Sequence, residues 1–391
     1  MEKRFVYADN AATTKVYPEV AQEMLKYLTE EYGNPSSLHS MGQSAKKALE
    51  SARARIAKCI NAEPSEIFFT SCGTEADNWA IRGASAVYAK VNKIEKPHII
   101  TTKIEHHAVL HTFKALENQG YEVTYVDVDE YGKVSPEAIV SAIKDNTCLI
   151  TVMYANNEMG TIEPVAEIVK AVKAVRNIPF LTDAVQAVGN IPVDVKELGV
   201  DMLSFSGHKI HAPKGVGCLY VKKGTRLRNL IEGGAQERGK SAGTEAVASI
   251  MAMAKALEIS IEKFSETDEL IKKRDRLIEG ITSLPDTLLT GHPKDRLPGN
   301  ASFVFKGIEG EGLLFLLSSM GICGSTGSAC SSASLEPSHV LTSMGIPVEI
   351  CHGSLRLTIS HETSFDDVEY MIEKVKTVVE RLRMMSPIYG N

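Results

Sequence analysis

The sequence predicts an α/β fold with two parts: a large, mainly parallel sheet covered by helices on both faces, and a smaller α+β unit at the C-terminal end. Three observations carry this. Between residues 65 and 222, short β-rich apolar runs alternate with helical stretches, the pattern of strands joined by helical crossovers. After residue 300 the pattern changes to a strand, a helix, a run of small residues, a strand and a final helix. At 391 residues the chain also exceeds what one hydrophobic core usually holds.

Within the alternating region, EIFFTS (66–71) is a short apolar strand, followed by a helix from Thr74 to about Ala89. HIITT (98–102) leads into HAVLHTFKALENQG, a helix that stops at Gly120, where a glycine serves as terminator. YEVTYVDV, TCLITVMYANN, PFLTD, DMLSFS and GCLYVKK are further strands. Between two of them, residues 164–175 place Val165, Ile168, Val169, Val172 and Val175 on one helical face. Upstream, residues 18–32 and 42–60 form helices separated by Gly33-Asn34-Pro35, a stop-and-turn signal. Residues 244–264 form a long apolar helix able to link two domains. The C-terminal unit comprises strand NASFVF, helix EGLLFLLSSMG, a loop of small residues from Gly321 to Ser334, strand SLRLTIS and a helix from about Phe365. That helix puts Val368, Met371, Ile372, Val375, Val379 and Leu382 on one face.

Composition excludes several classes. The 43 Lys+Arg against 49 Asp+Glu leave a net charge of −6, which gives no reason to expect nucleic acid or an anionic membrane as partner. The opening MEKRFVYADN has no apolar h-region, and no apolar run reaches the ~18 residues that span a bilayer, so a cytoplasmic protein is expected. The seven cysteines are odd in number, irregularly spaced and without a C-x-x-C pair. Neither a disulfide framework nor a metal site is expected.

Ligands of parallel sheets bind at the carboxyl ends of the strands, and four motifs sit there. Ser71-Cys72-Gly73-Thr74-Glu75 opens a helix after a strand, with free N–H groups, a glycine and a hydroxyl suited to phosphate, or simply a capped turn. Asp183, in Thr182-Asp183-Ala184-Val185-Gln186, either caps a turn or holds a protonated ring nitrogen. Lys209, in Ser204-Phe205-Ser206-Gly207-His208-Lys209, is either a solvated lysine or an amine held for Schiff-base chemistry. Cys330 lies among Gly327-Ser328-Ala329 and Ser331-Ser332-Ala333-Ser334. So many small side chains bury little, so an exposed, mobile and reactive thiol is expected, unless the cysteine is incidental. Cys323, after Ile322, reads as structural.

Gly234-Ala235-Gln236-Glu237-Arg238-Gly239-Lys240-Ser241 matches the nucleotide-binding pattern G-x-x-x-x-G-K-[ST]. That motif needs a buried strand just before and a helix just after. Only Leu230 and Ile231 precede it as an apolar pair, and Ala242 and Gly243 delay the helix. A nucleotide-hydrolysing site is therefore not expected.

From YADNAATT to LRMMSPIYGN the chain resembles the cysteine desulfurases of the NifS/IscS type, class V aminotransferase-like enzymes of fold type I that depend on pyridoxal 5'-phosphate. The likeness rests on GNPSSLHSMG, FFTSCGTEADN, TKIEHHAVL, YANNEMG, TDAVQAVG, SFSGHKIHAPKGVG, GGAQERGKSAGTE, STGSACSSASLEPSHVL and GSLRLTIS. The resemblance implies that Lys209 carries the cofactor as a Schiff base and that His106 stacks over its ring and moves protons. Asp183 would pair with the ring nitrogen and Gln186 with the ring oxygen. Gly73, Thr74, Ser206 and His208 would hold the phosphate, with Thr244 reaching the phosphate of a neighbouring subunit in a homodimer. Asn157, Arg356 and Asn34 would bind substrate, Arg356 by a two-pronged pair to its carboxylate. Cys330 would take sulfur from L-cysteine as a persulfide, leaving L-alanine, and pass it to an acceptor such as an iron–sulfur scaffold of the NifU/IscU kind. The implied division puts residues 16–258 in the large cofactor-binding domain, with 1–15 and 259–391 in the small one. Alternatives on the same residues are a selenocysteine lyase, another pyridoxal-phosphate lyase or transaminase, and a non-catalytic sulfur-trafficking scaffold. The chain departs from the family at Cys72-Gly73, where Gly-Ala is usual, and at LTISHET after Arg356. His107 falls where the family varies.

Overall fold

The structure, a computed structural model, describes residues 4–327, 337–387 and 389. Strand β1 (Val6–Tyr7) precedes seven strands that share one sheet: β2 (Ile67–Thr70), β3 (His98–Thr102), β4 (Glu122–Val126), β5 (Thr147–Thr151), β6 (Phe180–Asp183), β7 (Met202–Ser206) and β8 (Gly217–Val221). Their order is β2-β8-β7-β6-β5-β3-β4. Every pairing from β7 to β4 is parallel, whereas β8 runs antiparallel to both its neighbours. The mainly parallel sheet expected from the alternation is present, with one reversed strand inside it.

Alternation of side chains builds two cores from the same strands. Ile100, Ile150, Phe180 and Leu203 point into one apolar cluster, with Ile56, Ile168, Val172 and Met253 from helices. Their chain neighbours Ile99, Leu149, Leu181 and Met202 point into the other, with Trp79, Ile81 and Phe113. Successive residues of a strand face opposite sides, so a strand covered on both faces is largely apolar along its length. The covering elements include α1 (Pro18–Thr29), α2 (Ser40–Cys59), α3 (Gly73–Val91), α4 (His107–Glu117), and helices Val165–Val175 and Val247–Glu262. Among the described residues no helix is long and apolar enough to cross a membrane.

The C-terminal unit contains β9 (Thr287–Leu289), β10 (Asn300–Phe305), β11 (Ile322–Cys323) and β12 (Ser354–Thr358). β10 lies between β12 and β9, antiparallel to both. Helices Thr267–Thr282 and Phe365–Met385 accompany this sheet, and Leu277, Phe303, Phe305, Leu355, Met371 and Val375 share its core. Val6 and Ala8 join that core because β1 pairs in parallel with β11. The Thr358 N–H donates to the Ala8 carbonyl at 2.7 Å.

Two boundaries differ from expectation for local reasons. The strand expected through Asn157 ends at Thr151. Further on, Asn156 closes a turn: its side-chain N–H donates to the Ile104 carbonyl, and its Oδ1 accepts the N–H groups of Glu158 and Met159. The helix expected over 244–264 spans Val247–Glu262.

The G-x-x-x-x-G-K-S run has no strand before it and forms a single turn, Gln236–Gly239, in which Glu237 and Arg238 adopt φ of 47° and 60°. Glu237 points inward. Its carboxylate takes a bidentate pair from Arg53 at 2.9 and 3.0 Å and the Phe69 N–H at 3.0 Å. Arg53 is 2% exposed, so removing its counter-ion strands a buried charge. We expect Glu237→Ala to lose about 3–5 kcal/mol in urea unfolding, and Glu237→Gln to lose less because it keeps an acceptor.

Candidate active site at the carboxyl ends of the strands

A cavity of about 320 Å3 opens where β2, β3, β5, β6 and β7 end, and Gly327, His339 and Arg356 of the C-terminal part close its far side. Lys209 enters from the turn Gly207–Lys209 after β7. Its Nζ donates to the carbonyls of Ala11 and Ala12 at 2.6 and 2.7 Å. Gln186 donates to the Ala11 carbonyl at 3.0 Å. The N-terminal segment is held there by the Thr14 N–H, which donates to the His208 carbonyl at 2.9 Å.

Asp183, the last residue of β6, is 4% exposed and accepts the Val185 N–H at 2.9 Å. Burial raises its carboxyl to about 6, while that N–H and Lys209 pull the other way. One strand over, Ser204 donates a short hydrogen bond to Asp77 of α3, which is also buried in the cavity wall. Burial, and then the charge of Asp183, drives the Asp77 carboxyl well up. Two carboxylates so placed do not both ionise readily, and the N–H of Val185 and the charge of Lys209 favour Asp183 as the anion.

His106 caps the start of α4, its Nδ1 accepting the Ala108 N–H at 3.1 Å. A neutral ring with that bond carries its proton on Nε2. Burial foremost, then Lys209, holds the His106 pKa down to about 4, so the ring is neutral at pH 7. Beside it, Glu105 is fully buried and accepts from the Thr102 hydroxyl at 2.7 Å and the Met153 N–H at 2.9 Å. Burial raises Glu105 to about 8 against an ordinary value of 4.5. Between those pH values the folded chain keeps a proton that the unfolded chain releases, so parent stability falls as pH rises through that window and levels off above it. Glu105→Gln does not titrate. Its urea midpoint should therefore gain on the parent's between pH 5 and pH 8.5.

At the opposite end, Arg356 of β12 is 2% exposed. Its Nη1 donates to the Asn157 carbonyl at 2.9 Å and its Nη2 to Asp9 at 3.0 Å, while its buried Nε has no protein partner. Residues 357–363, where the chain departs from the family pattern, do not line the cavity. The other departure, Cys72, acts as a helix cap, its Sγ accepting the Glu75 N–H at 3.4 Å.

The cavity thus gathers Gly73, Thr74, His106, Asn157, Asp183, Gln186, Ser206, His208, Lys209 and Arg356 from the expected set. Asn34 and Thr244 are exposed and outside it within one chain, Asn34 accepting the Ser36 N–H at 2.9 Å. Cys330 lies outside the described residues. Sequence reasoning missed Asp77, Glu105 and Glu158. Asp77 sits one helical turn after Gly73, and Glu105 and Glu158 directly adjoin His106 and Asn157, which was the signal available. Among the described residues no cluster of His, Cys, Asp or Glu could hold a metal ion.

These residues fit pyridoxal phosphate. The Ser206 hydroxyl is buried with no protein partner, next to the start of α3, where backbone N–H groups favour an anion. A Cβ at Gly73 would come within 2.9 Å of Val185 and 3.5 Å of Ser206, so the glycine lets both side chains sit close to the start of α3. A buried anionic carboxylate, a neutral histidine and a lysine complete the set that such a ring requires.

Fold and cavity together define a pyridoxal-phosphate-dependent enzyme of fold type I. The model of the aminotransferase class-V family matches residues 6–371. A protein of Methanosarcina thermophila described as "Cysteine desulfurase IscS" is 52% identical over 388 residues, spanning 99% of this chain and 95% of its own length. Another of that description, from Clostridium botulinum strain Hall, is 53% identical over 98% of this chain and 96% of its own length. A solved structure titled "NIFS-LIKE PROTEIN" superposes with a TM-score of 0.90 at 40% identity, covering 97% of this chain and 100% of that one. The chain belongs to the aminotransferase class-V family and, within it, to the cysteine desulfurases of the NifS/IscS type.

Proposed function

We propose that this protein is a cysteine desulfurase that moves sulfur from L-cysteine to its own Cys330. The observation that supports this most is the convergence of Lys209, Asp183 and His106 on one cavity whose far wall presents Arg356. Gly73, Thr74, Ser206 and His208 hold the cofactor phosphate, Asp183 its ring nitrogen and Gln186 its ring oxygen. When bound, pyridoxal phosphate supplies an electron sink for charge left on the substrate α-carbon. Arg356 receives the substrate carboxylate with Asn157 beside it. Lys209 Nζ takes the α-proton, and His106, protonated at Nε2, is placed to relay protons near the ring. Cys330 Sγ, as thiolate, bonds to the substrate sulfur as the carbon–sulfur bond breaks. The carbon keeps the electron pair and takes a proton. Overall, cysteine and an enzyme thiol become alanine and an enzyme persulfide, with no external oxidant.

Asn34 and Thr244 act across a homodimer, Thr244 on the neighbouring subunit's phosphate. Their exposure and their place outside the cavity of a single chain support that reading. The protein is cytoplasmic, residues 16–258 form its cofactor domain and the remainder the small domain, and the persulfide passes to an iron–sulfur scaffold of the NifU/IscU kind. The test is purified protein given L-cysteine. Visible absorbance from the bound cofactor and cysteine-dependent alanine are expected; a colourless protein that makes no alanine overturns the reading.

A further inference from the structure

Glu158 is a buried acid in the cavity wall for which the chemistry above has no use. It is 4% exposed and projects from the turn that also presents Asn157. That turn is fixed: the Glu158 N–H donates to Asn156 Oδ1 at 2.8 Å, and Arg356 holds the Asn157 carbonyl at 2.9 Å. The Glu158 carboxylate reaches away from this anchor toward two points far along the chain. Its Oε2 accepts the Ser338 hydroxyl at 2.5 Å. A Cβ placed on Gly327 would lie 2.5 Å from that same Oε2, so the backbone at Gly327 rests directly against the carboxylate. Ser338 is in turn tied down, because its Oγ accepts the N–H groups of Val340 and Leu341 at the start of helix His339–Ser343.

Gly327 and Ser338 flank Cys330 in the chain, one on each side. We propose that Glu158 is a positioning residue for the sulfur-transfer step. By bonding Ser338 and abutting Gly327, it fixes where both flanks of the thiol-bearing stretch attach to the wall that holds the substrate carboxylate. This rests on the reading of Cys330 as sulfur acceptor. Burial also pushes the Glu158 carboxyl up to about 7, the Ser338 hydroxyl and Arg356 opposing it, which fits a group held in place by its neighbours rather than by water.

A positioning role separates binding from transfer. In the holoenzyme, Glu158→Ala and Ser338→Ala should keep cofactor absorbance and the spectral change on adding cysteine. Persulfide formation on Cys330, read by acid quench and mass spectrometry in a single turnover, should slow about 10- to 100-fold, the scale of an ångström-level misplacement. Glu158→Gln and Ser338→Thr keep the acceptor and the hydroxyl and should recover most of the rate. Gly327→Ala should reproduce the defect by crowding the carboxylate. Alkylation of Cys330 by iodoacetamide, which needs no sulfur chemistry, should change rate in the same variants. Parental rates of persulfide formation and alkylation in Glu158→Ala and Ser338→Ala overturn the inference. Altered alkylation in a protein whose parent forms no persulfide on Cys330 overturns the desulfurase reading, and with it the part in sulfur transfer, and leaves only the hold of Glu158 on the flanks of Cys330.

Discussion

Lys209→Ala should yield a folded protein that makes no alanine from cysteine and lacks the visible band of a cofactor tied to a lysine. The amine serves twice at one position. On the proposed reading it would hold the cofactor and, when freed, would take the α-proton. General-base help of this kind accounts for about 10²–10⁴-fold by itself, and loss of the covalent tie compounds it. Stability should change little. The Ala11–Ala12 segment that receives the Nζ bonds is also held by the Gln186 side chain and the Thr14 N–H. The checks are absorbance after extensive dialysis, alanine production and urea midpoint. A protein that retained the band through dialysis would place the covalent link elsewhere.

Cys330→Ser should give the opposite pattern: a fully coloured protein that binds cysteine, with the same spectral response as the parent, yet accumulates no persulfide and releases no sulfide. A serine hydroxyl is close in size but has neither the low pKa nor the soft nucleophilicity that attack on sulfur requires. Three other cysteines, Cys59, Cys148 and Cys351, are poor substitutes. Burial pushes Cys59 and Cys351 up to about 11 and Cys148 up to about 12. Sulfide release from Cys330→Ser at the parental rate would assign the nucleophile to another group.

Much of this molecule was legible in its sequence, and the legible parts share a cause. Strands covered on both faces are short and rich in β-branched and apolar residues, so HIITT and DMLSFS announce themselves, and the groups that follow them fall into the cavity. The final helix, expected from about Phe365, begins there, with Ser364 and Asp367 forming a capping box. What stayed hidden depended on partners remote in the chain. Val6–Tyr7 is too short to read as a strand, and only Ile322–Cys323 makes it one. Asp77, Glu105 and Glu158 look like ordinary charges until tertiary packing buries them. The turn at Gln236–Gly239 imitates a nucleotide motif letter for letter, yet its acidic residue faces a buried arginine that nothing in the local sequence discloses.

The reversed strand β8 has a consequence for assembly. Because β8 is inserted between β2 and β7, β2 has no neighbour in the sheet until residues 217–221 arrive. The turn at Cys72–Thr74 hangs on the end of β2, and Gly217 lies against the Cys72 carbonyl, where a Cβ would come within 2.8 Å of it. Such long-range pairing is slow to form, so the turn at Cys72–Thr74 settles against Gly217 only once β8 has joined the sheet.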